Sequence, residues 1–315
     1  MSFTDEVKQE LLHLECKWGC CARAEVCAAL LLGGALSFRG AGRYGIALSL
    51  NRPAASRYYF TLIKKFLGIT TGIQTSSFKH LGEKTRVELT FNDEDVPKVM
   101  EELKLYDESA IFGVAARPNE RIVEKPCCRV AFLKSAFIMT GYIANPEKEY
   151  ALTLSASGEE TADCLVELLA RSGIKARASR SRSRFVVYVK SAEGVSVALT
   201  LMGAGAARLR LENARILKDI KNGTNRQTNC DSNNIERSIR SASARAEDIR
   251  FIAQKLEDQR IPDWAREIMS LRLENPDSSL SELGEMCDPP IGKSGVNNRL
   301  RRLSELAEKL RGENC

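Results

Sequence analysis

The sequence is poor in three features that often reveal what a protein does. Its longest apolar segment, residues 28–36, covers nine residues, whereas a membrane-spanning helix needs roughly 20. Its two histidines, His13 and His80, have no evident triad partners, which leaves little room for histidine-based catalysis or for mixed Cys/His zinc sites. Residues 1–6 lack the basic patch and apolar stretch of a secretory signal. We therefore expect a cytosolic protein that does not enter a membrane.

The chain is nevertheless large and apolar enough to fold. Its 315 residues, 43% of them hydrophobic, can bury a core and divide into two or three units. The net charge is +6 at pH 7. This modest excess of basic residues suggests a polyanionic partner without requiring one.

The ten cysteines are expected to stay reduced in a cytosolic chain of this size. One group of cysteines lacks the separated pairs of a zinc ribbon: Cys16, Cys20, Cys21 and Cys27. Cys127 and Cys128 are an adjacent pair at a predicted helix start, and Cys315 would be reactive if exposed. We interpret the two groups as small buried thiols rather than a metal cluster, and predict no metal and no cofactor.

An internal repeat covers the first two thirds of the chain. Residues 20–24 (CCARA) recur as residues 127–131 (CCRVA), and the apolar helical stretch that follows ends at Gly34 in one copy and at Gly141 in the other, 107 positions apart in both cases. The apolar patterns predict helix, strand, helix, strand, strand, helix in each copy. The first two thirds are therefore predicted to be a duplicated α/β domain.

The first helix of each copy is rich in small residues at three- and four-residue spacing, which lets two helix backbones approach closely. Residues 26–34 (VCAALLLGG) and 133–141 (LKSAFIMTG) resemble the two nine-residue motifs of the LAGLIDADG homing endonucleases. In that family the residue before the closing glycine is an acidic ligand of the Mg²⁺ that assists phosphodiester cleavage. Those positions are Gly33 and Thr140 here, and shifting the first motif puts Arg39 there instead. The resemblance thus implies a nuclease-like fold without the nuclease site.

The last third of the chain has a helical pattern throughout. From Asp231 an apolar stripe in steps of three and four residues indicates a helix of about 26 residues. Ser279 and Glu282 form a predicted capping box for a short helix that ends near Met286. After a turn, Ser294 is expected to cap a longer helix.

A short helix, a turn and a longer helix are typical of a helix-turn-helix, which presents its second helix to the major groove of DNA. The N-terminal part and outer face of the longer helix carry side chains suited to bases and phosphates: Lys293, Ser294, Asn297, Asn298, Arg299, Arg301 and Arg302. Arg binds guanine bidentately and Asn binds adenine, while Ser and the helix N-terminus suit phosphates. The alternative is an ordinary solvated face of a helical hairpin.

A second basic feature lies in the second copy of the repeat. Residues 171–190 contain seven Lys or Arg residues and no acidic residue. We predict a β-hairpin here whose arginines contact phosphates: Arg177, Arg180, Arg182 and Arg184. The last three share one face if the hairpin continues through them. A solvated, flexible Ser/Arg loop is the alternative.

Several segments of the last third resemble the WhiA family: residues 224–226 (TNR), 229–231 (NCD), 283–286 (LGEM) and 289–297 (PPIGKSGVN). WhiA proteins are bacterial DNA-binding regulators of sporulation in actinobacteria and of cell division or chromosome segregation elsewhere. They carry a LAGLIDADG-like domain followed by a helix-turn-helix domain. We expect Asn225, Arg226 and Asn229, which precede the predicted long helix, to fix the joint between the domains.

The fold class is therefore predicted as α+β, a duplicated LAGLIDADG-like α/β domain followed by an all-α helix-turn-helix domain. The predicted limits are residues 1–210 for the first domain, with repeats at about 20–110 and 127–205, then 211–262 for a linker and long connecting helix, and 263–315 for the helix-turn-helix domain, with its motif at about 279–311.

The predicted function is a sequence-specific DNA-binding transcriptional regulator, not an enzyme, that acts in sporulation or in cell division and chromosome segregation. Its partner would be promoter DNA, together with RNA polymerase or division proteins, and it would reside in the cytoplasm on the nucleoid without a membrane or small-molecule substrate. Two rivals remain: a cell-division scaffold whose DNA binding is secondary, and an active endonuclease that uses other acids, such as Glu25 or Asp107.

Overall fold

The structure, a computed structural model, describes residues 2–38, 44–78, 84–107, 115–256 and 261–312. The chain divides into two compact units, residues 1–219 and residues 220–315. Three residues named in the sequence analysis lie outside the described residues: Arg39, His80 and Cys315. Among the described residues, none of the helices combines the length and the apolar character needed to cross a bilayer.

Unit 1 contains two copies of one supersecondary pattern. Helix α1 (Phe3–His13) precedes the first copy, which consists of α2 (Gly19–Gly33), β1 (Gly34–Phe38), β2 (Tyr44–Leu50), α3 (Pro53–Leu67), β3 (Gly72–Phe78), β4 (Lys84–Thr90) and α4 (Val96–Glu102). The short helix α5 (Glu120–Val123) precedes the second copy, which consists of α6 (Pro126–Thr140), β5 (Gly141–Ile143), β6 (Leu152–Ala156), α7 (Glu159–Arg171), β7 (Arg177–Ser181), β8 (Arg184–Val189) and α8 (Ala192–Met202).

Each copy has one more strand than the sequence predicts. Strands β1 and β5 follow α2 and α6 directly, without a loop, because Gly34 and Gly141 end the helices in an extended conformation. A Cβ atom at Gly34 would lie 2.3 Å from the carbonyl oxygen of Leu30, and one at Gly141 would lie 2.3 Å from the Phe137 ring. Only glycine therefore permits this change from helix to strand. Because the apolar run continues through the glycine, the sequence pattern does not show where the strand begins.

The two copies form two antiparallel four-stranded sheets with matching strand orders, β1-β2-β4-β3 and β5-β6-β8-β7. Helices α2 and α6 pack against each other between the copies. Their small residues are buried at this contact, as the sequence predicts: Ala24, Ala28, Ala29, Ala131, Ser135 and Ala136. The alternating apolar residues of the strands, such as Leu48 and Leu154, complete the core.

Helix α9 (Gly205–Lys255) is longer than predicted, because it begins 26 residues before Asp231. It contributes Leu211 to the core of unit 1 and Ile249 to the core of unit 2. Residues that were expected to precede the long helix, such as Asn225, lie inside α9. In this stretch Thr224 Oγ1 donates to the carbonyl oxygen of Ile220 at 3.1 Å.

Unit 2 contains three further helices, α10 (Asp263–Glu274), α11 (Leu280–Glu285) and α12 (Lys293–Gly312). The predicted capping box at Ser279 and Glu282 is confirmed, with both reciprocal hydrogen bonds present. A Cβ atom at Gly284 would lie 2.1 Å from the carbonyl oxygen of Ile291, so glycine lets the turn pack closely on α11. One side of α12 is buried in the core of unit 2 and carries apolar residues: Val296, Leu300, Leu303 and Ala307.

Candidate nucleic-acid interface

The residues predicted to read DNA lie in the N-terminal half of α12. The helix begins at Lys293, two residues earlier than a cap at Ser294 predicts, so Ser294 lies in its first turn rather than at its cap. The carbonyl of Gly292 accepts the first helical hydrogen bonds instead. Six of the seven predicted side chains are exposed: Lys293, Ser294, Asn297, Asn298, Arg301 and Arg302.

Arg299 is the exception, because it faces the neighbouring helix α10. Its Nη1 lies 2.9 Å from Oε2 of Glu267, and the two side chains are 26% and 29% exposed. The other carboxylate oxygen of Glu267 accepts a hydrogen bond of 2.7 Å from the backbone N–H of Asp288 in the turn. The ion pair therefore connects α12 and α10, and through Glu267 also the turn, and it occupies the guanidinium that was expected to bind guanine.

The exposed side chains of α12 are held in place by contacts within unit 2. Arg245 of α9 donates a hydrogen bond of 2.7 Å to Oδ1 of Asn297. Arg301 donates to Oδ1 of Asn298 at 3.1 Å. The guanidinium of Arg302 lies 4.7 Å from the centre of the Trp264 ring, a cation–π contact. The exposed side chains in the first ten residues of α12 include three basic ones, Lys293, Arg301 and Arg302, and no acidic one, so this face is positive.

The basic segment of the second copy forms the predicted hairpin, β7 and β8, joined by a turn at residues 182–183. Its four arginines are exposed. The expectation that Arg180, Arg182 and Arg184 share one face is wrong. Arg182 lies in the turn with a positive φ of 53°, and Arg180 pairs in register with Phe185 while Arg184 pairs with Ser181. Since register partners share a face and neighbours alternate, Arg180 and Arg184 lie on opposite faces of the hairpin.

The buried Val187 and Val189 mark the core face of the second sheet. Arg184 lies on the opposite, open face, and so does Arg177, which pairs with Tyr188. None of the residues in β5 to β8 is acidic. This open face is therefore basic, with an exposed aromatic side chain, Tyr142, in the same row as Arg177.

The corresponding face of the first sheet carries an acidic residue beside a basic one. Arg86 Nε lies 3.4 Å from Oε1 of Glu88, and Ser49 donates a hydrogen bond to the same carboxylate oxygen. The two open faces thus differ, because the described strands of the second carry no acidic residue.

The two positions that carry acidic metal ligands in LAGLIDADG nucleases lie at the ends of α2 and α6. A Cβ atom at Gly33 would lie 2.2 Å from Cε of Met139, so any larger residue there would have to displace Met139. Thr140 Oγ1 donates to the carbonyl oxygen of Ala136 at 3.3 Å. Neither position supplies a carboxylate.

The two alternative acids, Glu25 and Asp107, both have interaction partners within the fold. Glu25 is 2% exposed, with Oε1 at 2.8 Å from Nζ of Lys134, and it accepts a hydrogen bond from the hydroxyl of Tyr58. Burial raises the pKa of Glu25, although Lys134 and Tyr58 act in the opposite direction. Asp107 is half-buried at the end of a described segment and has an interaction partner of its own.

The structure also corrects one interpretation. Asn225, Arg226 and Asn229 do not precede the long helix; they lie inside α9 and are exposed. His13 is exposed, with Nδ1 at 2.6 Å from the carbonyl oxygen of Gln9 in its own helix.

The two cysteine pairs, which the sequence pattern treats as separate features, lie together. The Sγ atoms of Cys20, Cys21, Cys127 and Cys128 are all within 4.8 Å of one another. Sequence reasoning missed this cluster because it considered each pair alone. The signal was present in the repeat, since two equivalent helices that pack side by side bring equivalent residues together.

Comparison with known proteins gives a consistent result along the chain. Residues 19–106 match the model of the WhiA N-terminal LAGLIDADG-like domain, residues 129–221 match the WhiA LAGLIDADG-like domain, and residues 224–307 match the WhiA C-terminal helix-turn-helix domain.

Full-length relatives agree with the domain matches. The chain is 36% identical over 310 residues to the probable cell division protein WhiA of Heliobacterium modesticaldum, covering 98% of this chain and 96% of that one. It is 35% identical over 319 residues to the protein of the same name in Clostridium botulinum, covering all of both chains. The crystal structure of full-length WhiA from Thermotoga maritima has the same fold, with a TM-score of 0.59 at 22% identity over 98% of this chain and 99% of that one. The chain therefore belongs to the WhiA family.

Proposed function

We propose that this WhiA-family chain is a sequence-specific DNA-binding transcriptional regulator without nuclease activity. The observation that carries the proposal is the exposed basic N-terminal half of α12, supported by a packed helix-turn-helix core. A helix of this kind enters the major groove with its N-terminal residues against base edges. We assign base contacts to Asn298 and Arg301, and phosphate contacts to Lys293 and Ser294.

The proposal is tested by fluorescence anisotropy with promoter fragments and with random DNA of equal length. The full chain should bind a subset of promoters more tightly than random DNA. The double variant Lys293→Ala/Arg301→Ala should weaken binding to the preferred sequence by roughly 1–3 kcal/mol through the lost base contact of Arg301. The lost phosphate contact of Lys293 should weaken binding to all sequences alike. Lys309→Ala, which removes an exposed charge from the far end of the same helix, is the matched control. Equal binding of promoter and random DNA by the native chain would reject the proposal.

A second, weaker contact is proposed for the open face of the second sheet. Arg177 and Arg184 lie on this face without an acidic residue in its four strands, while on the equivalent face of the first sheet Glu88 pairs with Arg86. Contacts to phosphate oxygens add affinity and salt dependence but no sequence preference. We propose that this face strengthens binding, and that the helix-turn-helix unit selects the site.

The proposed lack of nuclease activity rests on Gly33 and Thr140, which cannot supply the paired carboxylates that hold Mg²⁺. Supercoiled plasmid incubated with the chain and Mg²⁺ should stay intact. Nicking that requires Mg²⁺ and is abolished in Glu25→Gln would restore the endonuclease interpretation.

The biological process is proposed from the relatives, which carry the name of cell division proteins. We propose that the chain acts in cell division, chromosome segregation or sporulation, in the cytoplasm and on the nucleoid, with RNA polymerase or a division protein as partner. A scaffold function is the alternative, and the exposed apolar side chains of α9, such as Ile235 and Ile239, favour it. The two functions are distinguished in cells that carry Lys293→Ala/Arg301→Ala in place of the native chain. The variant should fail to support division if the chain is a regulator, and should support it if the chain is a scaffold.

A further inference from the structure

The cluster of four cysteines has the dimensions of a single-ion thiolate site. Cys20 and Cys21 lie in the first turn of α2, and Cys127 and Cys128 in the first turn of α6. The Sγ atoms of Cys127 and Cys128 are 3.9 Å apart, and all four Sγ atoms lie within 4.8 Å of one another. A tetrahedral zinc ion with Zn–S bonds of about 2.3 Å requires sulfur–sulfur distances of about 3.8 Å. Small side-chain rotations are enough to reach that geometry.

The backbone around the cluster is suited to negative charge. The first turns of α2 and α6 each contain free backbone N–H groups and the positive end of the helix dipole. Neither helix has a side-chain hydrogen bond at its N-cap, and neither has an acidic residue in its first turn. The cysteine side chains therefore lie where carboxylates usually lie at helix starts.

The four thiols already interact with one another. Burial acts to raise the pKa of Cys20, but hydrogen bonds with the other three thiols outweigh it and lower the pKa. Burial raises the pKa of Cys128 to about 12. Cys21 and Cys128 are buried, Cys20 is half-buried and Cys127 is exposed. The cluster thus has one open side through which an ion can enter.

We propose that Cys20, Cys21, Cys127 and Cys128 bind one Zn²⁺ as a tetrathiolate that joins the N-terminal ends of α2 and α6. Four soft sulfur donors in a tetrahedral arrangement select Zn²⁺ over hard ions such as Mg²⁺. In an iron–sulfur cluster the thiolates bind several iron atoms and are farther apart than ligands of a single ion. Sγ atoms within 4.8 Å of one another therefore fit one ion better. Four protein ligands leave no position for substrate, so the ion is structural.

The site has a clear consequence for the fold. It links two residue pairs that are 107 positions apart in the sequence, at the contact between the two copies of the repeat. Because the ion binds only the folded arrangement, its binding free energy adds to the stability of unit 1. Binding displaces thiol protons and is therefore weaker at low pH.

The experiment begins with the native full-length chain, purified under reducing conditions. Its metal content is measured by mass spectrometry of the elements, and the metal-stripped chain is then titrated with Co²⁺. We expect close to one zinc per chain, and the visible bands and sulfur-to-metal charge-transfer band of tetrahedral Co²⁺ bound to thiolates. Competition with Zn²⁺ should abolish the Co²⁺ spectrum, and a zinc chelator should lower the midpoint of thermal unfolding.

Two variants assign the ligands. Cys20→Ser and Cys127→Ser change the less buried member of each pair, and each should weaken Co²⁺ binding by roughly tenfold or more. Cys230→Ser, an exposed cysteine in α9, should leave binding unchanged. If the ligand variants do not fold by circular dichroism, the native titration alone decides. Absence of both zinc and a Co²⁺–thiolate spectrum in the native chain would overturn the proposal, as would iron with acid-labile sulfide, or a mass two hydrogens lighter than the reduced chain.

Discussion

Lys134 Nζ lies 2.8 Å from Oε1 of Glu25 across the contact between α6 and α2, and the two side chains are 8% and 2% exposed. The hydroxyl of Tyr58 completes the group, since it accepts from Lys134 and donates to Glu25. A buried ion pair of this kind contributes little net stability over an apolar pair, but removal of one partner leaves an uncompensated charge. We therefore infer that the pair sets which positions of the two helices lie side by side and adds little to the stability of their contact.

The first prediction concerns this pair. Lys134→Met should lower the free energy of unfolding by about 3–5 kcal/mol, because Glu25 would be left buried without its cation. The double variant Glu25→Gln/Lys134→Met should recover more than half of that stability. Urea unfolding at pH 7 measures both. A double variant as unstable as the single one would show that packing, not charge, accounts for the effect.

The sequence predicts the parts of the fold that depend on residues close together in the chain. The capping box at Ser279 is contained in four residues, and the inner face of α12 follows the helical period. The repeat was equally visible, because duplicated residues recur at nearly constant spacing. Strands β1 and β5 were missed because the apolar run passes through Gly34 and Gly141 without a change of pattern.

The parts that could not be predicted depend on distant contacts. The cysteine cluster exists only once α2 and α6 pack side by side. Arg299 looked free because Glu267 lies 32 positions earlier, on another helix. The Asn-rich stretch of α9 was expected to fix a joint before the long helix because Asn favours caps and turns, yet it is helical, and side chains such as Asn233 bond to carbonyl groups of the same helix. A single sequence does not say which partner such a side chain takes.

The second prediction separates two roles of Arg299. Because the ion pair with Glu267 links α12 to α10, Arg299→Ala and Glu267→Ala should lower the thermal midpoint of unit 2 by similar amounts and weaken binding to all DNA alike. Calorimetry and anisotropy on the same preparations measure the two effects. If Arg299→Ala alone relaxes the preference at one base position, the arginine leaves Glu267 and binds that base.

The third prediction follows from the two faces of the β7–β8 hairpin. Arg177→Ala/Arg184→Ala removes charge from the open face, so the dependence of log affinity on log salt should become shallower by about 0.9 for each phosphate that the variant no longer neutralises. Arg180→Ala removes a charge from the opposite face and should leave the slope unchanged. A salt titration of anisotropy provides the slopes. Equal slopes in all three proteins would show that this sheet does not touch DNA.

The fourth prediction concerns Lys8 in α1, which is 7% exposed and lies 5.8 Å from the centre of the Phe137 ring. Burial, aided by the charge of Arg52 and opposed by Asp5, lowers the pKa of Lys8 to about 8. In the unfolded chain the pKa is about 10.4, so the unfolded state binds more protons between these values and the stability of the native chain should rise with pH there.

Lys8→Met should therefore stabilise the protein by about 2 kcal/mol at pH 7, where the native chain keeps a charged amine in an apolar site. The advantage should shrink by about pH 9.5, because the buried amine is by then neutral in the folded chain. Urea unfolding of both proteins at the two pH values measures the difference, and the exposed Lys17→Met is the control. An advantage that stays constant with pH would mean that Met stabilises by packing and that Lys8 keeps its usual pKa.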